Sequence, residues 1–157
     1  MSIQTGLQPQ ENKRTVELLL KMARAYFVLQ VKTLGFHWNV TGSDFIVLHQ
    51  FFEDVYKGLL EGLDEIAERI RVLGAWAPGC VAELSKDSCI QDIPEVHHPV
   101  KMLELLAVDH GRVIQELRKI LNILKESPDE GTRDLLIEHL RTFEKRLWML
   151  HSLIQHI

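Results

Sequence analysis

Val16, Leu19, Leu20, Ala23, Phe27, Val31 and Leu34 recur three and four positions apart, the spacing of one helix face, and nothing interrupts them before Asn39. Thr41, Gly42, Ser43 and Asp44 then offer a turn glycine and N-cap residues. The next run, Leu48, Phe52, Val55, Leu59, Leu63, Ile66, Ile70 and Leu73, predicts a second helix ending near Gly74. Residues 75–98 hold Pro78, Gly79 and Pro94, too punctuated for a long helix, with room for a short one at 81–86. Pro99 suits a first helical position, and Met102, Leu105, Leu106, Val108, Val113, Leu117, Ile120, Leu121 and Leu124 carry a third long helix to about Glu126. Ser127, Pro128, Asp129 and Glu130 read as a capping box with proline at the first position. They open a fourth helix through Leu135, Ile137, Leu140, Phe143, Leu147, Leu150 and Ile154.

The pattern gives an all-α chain: a four-helix bundle with one short connection, and a long crossover containing a short extra helix. Residues 1–14 form a short N-terminal extension and residues 15–157 a single domain, as expected of 157 residues that are 46% hydrophobic and 25% charged. No apolar run approaches the roughly 18 residues of a membrane span, and the N-terminal stretch lacks the apolar core of a secretory leader. A cytoplasmic protein with no membrane partner is therefore expected. Cys80 and Cys89 fall in the irregular crossover without CxxC spacing and read as reduced, incidental thiols. The net charge of −4 offers no general attraction to phosphate polymers.

Groups able to bind metal gather unevenly. His37 closes the first helix, and His49, Glu53, Asp64 and Glu68 lie on the second. At about 100° per residue, with His49 at zero, Glu53 falls near 40°, Asp64 near 60° and Glu68 near 100°, all on one stripe. Asp64 nevertheless lies roughly 22 Å along the axis from His49, whereas ligands sit about 2 Å from a metal. One helix cannot close such a site. Two copies crossing antiparallel near Leu59 and Leu60 would bring the His49/Glu53 end of one against the Asp64/Glu68 end of the other, giving two equal sites about a two-fold axis. Imidazole and carboxylate donors suit Fe(II), Mn(II) or Zn(II). Spacing alone leaves a plainer account open: Asp64, Glu65, Glu68 and Arg69 as a solvated helix face, His49 as a surface residue, and His37 satisfying a helix end.

Residues 36–74, FHWNVTGSDFIVLHQFFEDVYKGLLEGLDEIAERIRVLG, closely resemble the signature region of the Dps family, the DNA-protection-during-starvation mini-ferritins. The match includes the HWN triplet, LH twelve residues after the first histidine, and DEIAER. A weaker resemblance extends over nearly the whole chain. It implies a ferritin-like bundle that assembles into a homododecameric shell. It also implies an inter-subunit ferroxidase site of His37, His49 and Glu53 from one subunit with Asp64 and Glu68 from its two-fold partner, holding two iron ions that cycle between Fe(II) and Fe(III). Fe(II) and hydrogen peroxide would be the substrates, ferric mineral the stored product, and protection from oxidative damage the role. Glu53 departs from the family pattern, which places an aspartate there, and this bears on the second iron position. Trp38 resembles a family tryptophan that accepts stray oxidising equivalents. Asp129, Glu130 and Asp134 fall where three-fold pore acids usually lie, although the first turn of a helix favours carboxylates in any case. Ordinary ferritin subunits close their site within one bundle through Glu-x-x-His; the one such spacing here, Glu95 to His98, lies between Pro94 and Pro99.

An alternative reading is a DNA-binding, nucleoid-protecting shell with residual iron chemistry. Family members that bind DNA do so through basic tails, whereas here Lys13 and Arg14 stand against Glu11 before the first helix, and Arg118, Lys119, Arg141, Lys145 and Arg146 are interleaved with acids. DNA binding is expected to be weak or absent.

Overall fold

The computed structural model describes residues 5–95 and 97–155. Among the described residues five helices follow in order: α1 (Pro9–Asn39), α2 (Phe45–Val72), α3 (Val81–Leu84), α4 (Pro99–Ile123) and α5 (Glu130–Ile154). α1 packs along α2 and α4 along α5, while α1 also meets α4 and α3, and α2 touches α5. The short α3 lies in the long crossover between the two antiparallel pairs. No helix among the described residues is long and apolar enough to cross a membrane.

α1 begins about two turns before the apolar run that predicted it. Pro9 occupies its first turn, and the Glu11 carboxylate accepts from the Gln8 amide at 3.3 Å. Residues 9–14 are thus helical. At the other end of the hairpin, α2 stops where Gly74 takes φ +88°. The Gly74 amide bonds the Arg71 carbonyl and the Ala75 amide the Ile70 carbonyl, a complete Schellman closure.

Fully buried side chains from four helices fill the core, among them Leu19, Met22, Leu29, Phe52, Leu59, Ile66, Met102, Leu106, Leu136 and Phe143. The α2 face is as expected. On α1 Val16, Leu19 and Ala23 are buried as expected, but Met22, Tyr26, Leu29, Thr33 and Phe36 are buried too and Val31 is exposed, because α1 packs against neighbours on several sides and its apolar arc is wider than one stripe. Val108 and Ile137 also point outward, and Leu136 takes the core place on α5.

The start of α5 differs as well. Its N-cap is Asp129, whose carboxylate accepts from the Thr132 amide at 2.9 Å, while Ser127 Oγ accepts from the Asp129 amide at 3.2 Å. Pro128 therefore precedes the helix. Asp129 is the stronger cap because Arg69 and the Thr132 hydroxyl also bind its carboxylate.

Candidate metal centre

The turn between α1 and α2 is tight. Val40 N–H bonds the Phe36 carbonyl, Phe45 N–H bonds the Gly42 carbonyl, and Gly42 takes φ +108°, a conformation suited to a residue without Cβ. This hairpin stacks His37 on His49, ring centroids 3.7 Å apart and planes 20° from parallel. His37 Nδ1 donates to the His49 carbonyl at 2.8 Å, and His49 Nδ1 donates to the His37 carbonyl at 2.9 Å. A carbonyl oxygen only accepts, so each Nδ1 carries a hydrogen and each neutral ring keeps its lone pair on Nε2. That is how metal-binding imidazoles are oriented elsewhere. Tyr56 packs edge-on against His37 and Phe45 stacks on His49, so both rings are held from the sides.

Glu53 follows one turn along α2. Its carboxylate is ion-paired with Lys57, whose hydrogen bond holds the Glu53 carboxyl below the ordinary glutamate range, with smaller help from His37 and His49. Asp64 and Glu68 lie further along the same helix and are exposed. Within one chain the hairpin therefore pairs His37 with His49, places Glu53 one turn further along α2, and leaves Asp64 and Glu68 apart. Among the described residues, no three His, Cys, Asp or Glu side chains converge to hold a metal. Around the stripe, Ile46 and Leu60 are more than half exposed, as are Trp38 and Val47.

The ferritin-like domain family matches residues 16–157. The DNA protection during starvation protein 2 of Bacillus anthracis is 35% identical over 143 residues, spanning 91% of this chain and 98% of that protein. The chain belongs to the Dps family of ferritin-like proteins. Solved Dps structures agree in fold. That from Vibrio cholerae O1, described as a member of a broad superfamily of ferritin-like diiron-carboxylate proteins, superposes with a TM-score of 0.92 at 29% identity, covering 98% of this chain and 96% of its own. The Dps from Bacillus brevis gives 0.89 at 27% identity, covering 94% and 99%.

The other groups singled out in the sequence of this Dps chain differ in exposure. Asp129, expected as a pore acid, is buried and bound by Arg69 and Thr132, so its charge is spent within the subunit. Glu130 and Asp134 remain exposed. Trp38, next to His37, is 69% exposed. Glu95 and His98 lie in the crossover, His98 capping α4, and build no Glu-x-x-His pair on a helix.

Between α2 and α5 a polar cavity of about 160 Å³ is lined by Tyr26, Glu61, Glu65, Glu138, His139 and Arg146, among others. Tyr26 O–H donates to His139 Nδ1 at 2.7 Å, and His139 Nε2–H donates to Glu65 at 2.8 Å. Burial raises the Tyr26 hydroxyl pKa far above its ordinary value and lowers that of Arg146. Gly58 and Gly62 make room: a Cβ at Gly58 would meet the Arg146 guanidinium at 2.0 Å, and one at Gly62 the Tyr26 ring at 2.5 Å. The four-residue spacing of these glycines was the available signal.

Proposed function

We propose that the protein is an iron-storing ferroxidase whose site forms between two copies of the chain. His37, His49 and Glu53 of one copy would meet Asp64 and Glu68 of the other across antiparallel α2 helices. One observation carries the reading: two imidazoles with fixed Nε2 lone pairs lie at one end of an exposed α2 stripe that ends in two exposed carboxylates. A stripe with donors at both ends and exposed Ile46 and Leu60 along it suits a self-complementary two-fold contact. The diiron-carboxylate description of the Vibrio cholerae relative points the same way.

Nitrogen and carboxylate donors fit Fe(II) and tolerate Fe(III). In the reaction proposed, two Fe(II), one hydrogen peroxide and two protons give two Fe(III) and two waters, so both oxidising equivalents of peroxide are used without releasing hydroxyl radical. The residues' part is to orient the imidazoles, supply carboxylate charge that favours the higher oxidation state, and exclude bulk water once two copies meet. Ferric product would collect as mineral inside a twelve-subunit shell in the cytoplasm. Exposed Glu130 and Asp134 would draw cations toward a pore, and Trp38 would take up stray oxidising equivalents.

DNA protection is part of some relatives' names. In this chain the basic groups Lys101, Arg118, Lys119 and Arg133 are paired with Glu104, Glu144, Glu116 and Glu130, which favours the iron reading over a nucleoid-binding shell.

The test is to load the protein with Fe(II) without oxygen, add half an equivalent of peroxide, and follow ferric absorbance while trapping hydroxyl radical. An Asp64→Ala/Glu68→Ala variant of unchanged particle size serves as control. Fast oxidation with little trapped radical, lost in the variant, is expected; equal slow rates in both proteins would overturn the proposal.

A further inference from the structure

We propose that Lys57 acts as a built-in cation at the Glu53 carboxylate and thereby sets how weakly the second metal ion binds at each inter-subunit site. This rests on the ferroxidase reading above. Lys57 lies four residues after Glu53 and near 80° on the helical wheel, between Glu53 and Glu68 on the ligand stripe. From His49 to Glu68 it is the sole cationic residue on that stripe. Its ammonium is already paired with Glu53 Oε1.

Charge balance gives the contact its consequence. The donor set combines two neutral imidazoles with the carboxylates of Glu53, Asp64 and Glu68. One divalent ion together with the Lys57 ammonium neutralises those three carboxylates. A second divalent ion would leave two excess positive charges with the ammonium in place, and one without it. Excess charge is tolerated in water and costly in a covered site. The second ion must therefore either displace Lys57 from Glu53 or accept its repulsion.

On a free chain the pair is of little moment, because the lysine side chain is 57% exposed and an exposed i,i+4 pair contributes little. The two-fold contact changes this. An antiparallel crossing that matches His49 with Glu68 and Glu53 with Asp64 has its midpoint within a turn of Lys57, so a second copy would cover the ammonium and hold it to a carboxylate. The longer side chain of Glu53 lets its carboxylate bend toward Lys57 along the same helix.

Anaerobic Co(II) titration of the assembled protein, followed by visible absorbance and calorimetry, tests the assignment without any turnover. Two neutral variants, Lys57→Met and Lys57→Gln, and the charge-retaining Lys57→Arg are compared with the parent, with particle size checked by light scattering. The expected result is one tight Co(II) per chain in the parent, and a second that binds about tenfold or more tighter in either neutral variant, a change of about 1.4 kcal/mol; the arginine variant stays like the parent. A second binding step unchanged in both neutral variants overturns the role of Lys57 alone and leaves it a solvated helix-face residue. Absence of tight binding in all four proteins overturns the inter-subunit site, and this inference with it.

Discussion

His37 and His49 fix each other: each ring donates through Nδ1 to the main-chain carbonyl of the other residue, at 2.8 and 2.9 Å. Each is therefore the other's orienting group as well as a candidate ligand. Replacing His49 with alanine removes one lone pair and leaves the His37 ring without its stacking partner. Since mutating an outer hydrogen-bond partner typically weakens metal binding by about 10–100-fold, losing a ligand itself should cost at least as much, and His49→Ala should lower Co(II) affinity by about a hundredfold or more in calorimetry. Trp38→Phe, a change beside the site, should leave that affinity unaltered.

Acid should weaken the fold through His110. This ring is wholly buried, Nδ1 donates to the Leu106 carbonyl at 2.8 Å, and Nε2 has no partner among the described residues; burial pushes its pKa down to about 4. Because the folded value lies below the ordinary 6.5, the unfolded chain takes up the proton first. Stability is fully present above about pH 6.5 and falls as pH drops toward 4, by up to about 3 kcal/mol per chain. Thermal midpoints of the parent and His110→Leu should converge as pH falls through this window; parallel curves would refute the assignment.

The two glycines on α2 should respond differently to alanine. Both gain about 1 kcal/mol of helix propensity. At Gly58 the added methyl meets the far end of Arg146, which can swing away, so Gly58→Ala should lie within about 1 kcal/mol of the parent. At Gly62 it meets the buried Tyr26 ring, and overpacking of that kind costs about 1–3 kcal/mol. Denaturant unfolding should rank Gly62→Ala below Gly58→Ala.

Asp129 should prove structural. Asp129→Ala removes the α5 cap and strands Arg69, whereas Asp129→Asn keeps a capping oxygen and loses only charge. The alanine variant should be less stable than the asparagine variant by about 1 kcal/mol in thermal melts. If the carboxylate were instead a pore acid with no part in the fold, both variants would melt like the parent.

The α2 face was legible because one side of that helix is buried and the other is not, so period and burial coincide from Leu48 to Leu73. α1 was read less well: it touches all four other helices, and Val31 belongs to the periodic run yet faces outward. The His37–His49 pairing was legible only as a separation of twelve, since mutual carbonyl bonding depends on the turn at Gly42. Lys57 was overlooked because an i,i+4 partner to Glu53 looks like ordinary surface charge until the stripe is treated as a whole. Asp129 was placed correctly near a helix start, but the choice between Ser127 and Asp129 as cap depended on Arg69, sixty residues earlier in the chain.

The hydrogen-bond chain through His139 has the opposite polarity to that of His37 and His49. Its Nδ1 lone pair is taken by Tyr26 and its Nε2 hydrogen is given to Glu65, so neither nitrogen is available for coordination. His110 packs on the Phe143 ring, and among the described residues no carboxylate is bonded to it. A metal ion approaching His139 would have to displace the Tyr26 hydroxyl from Nδ1 or the proton from Nε2 before gaining that ligand. Among the described residues no three His, Cys, Asp or Glu side chains gather around the unengaged Nε2 of His110, so the interior offers a metal ion isolated donors and no site.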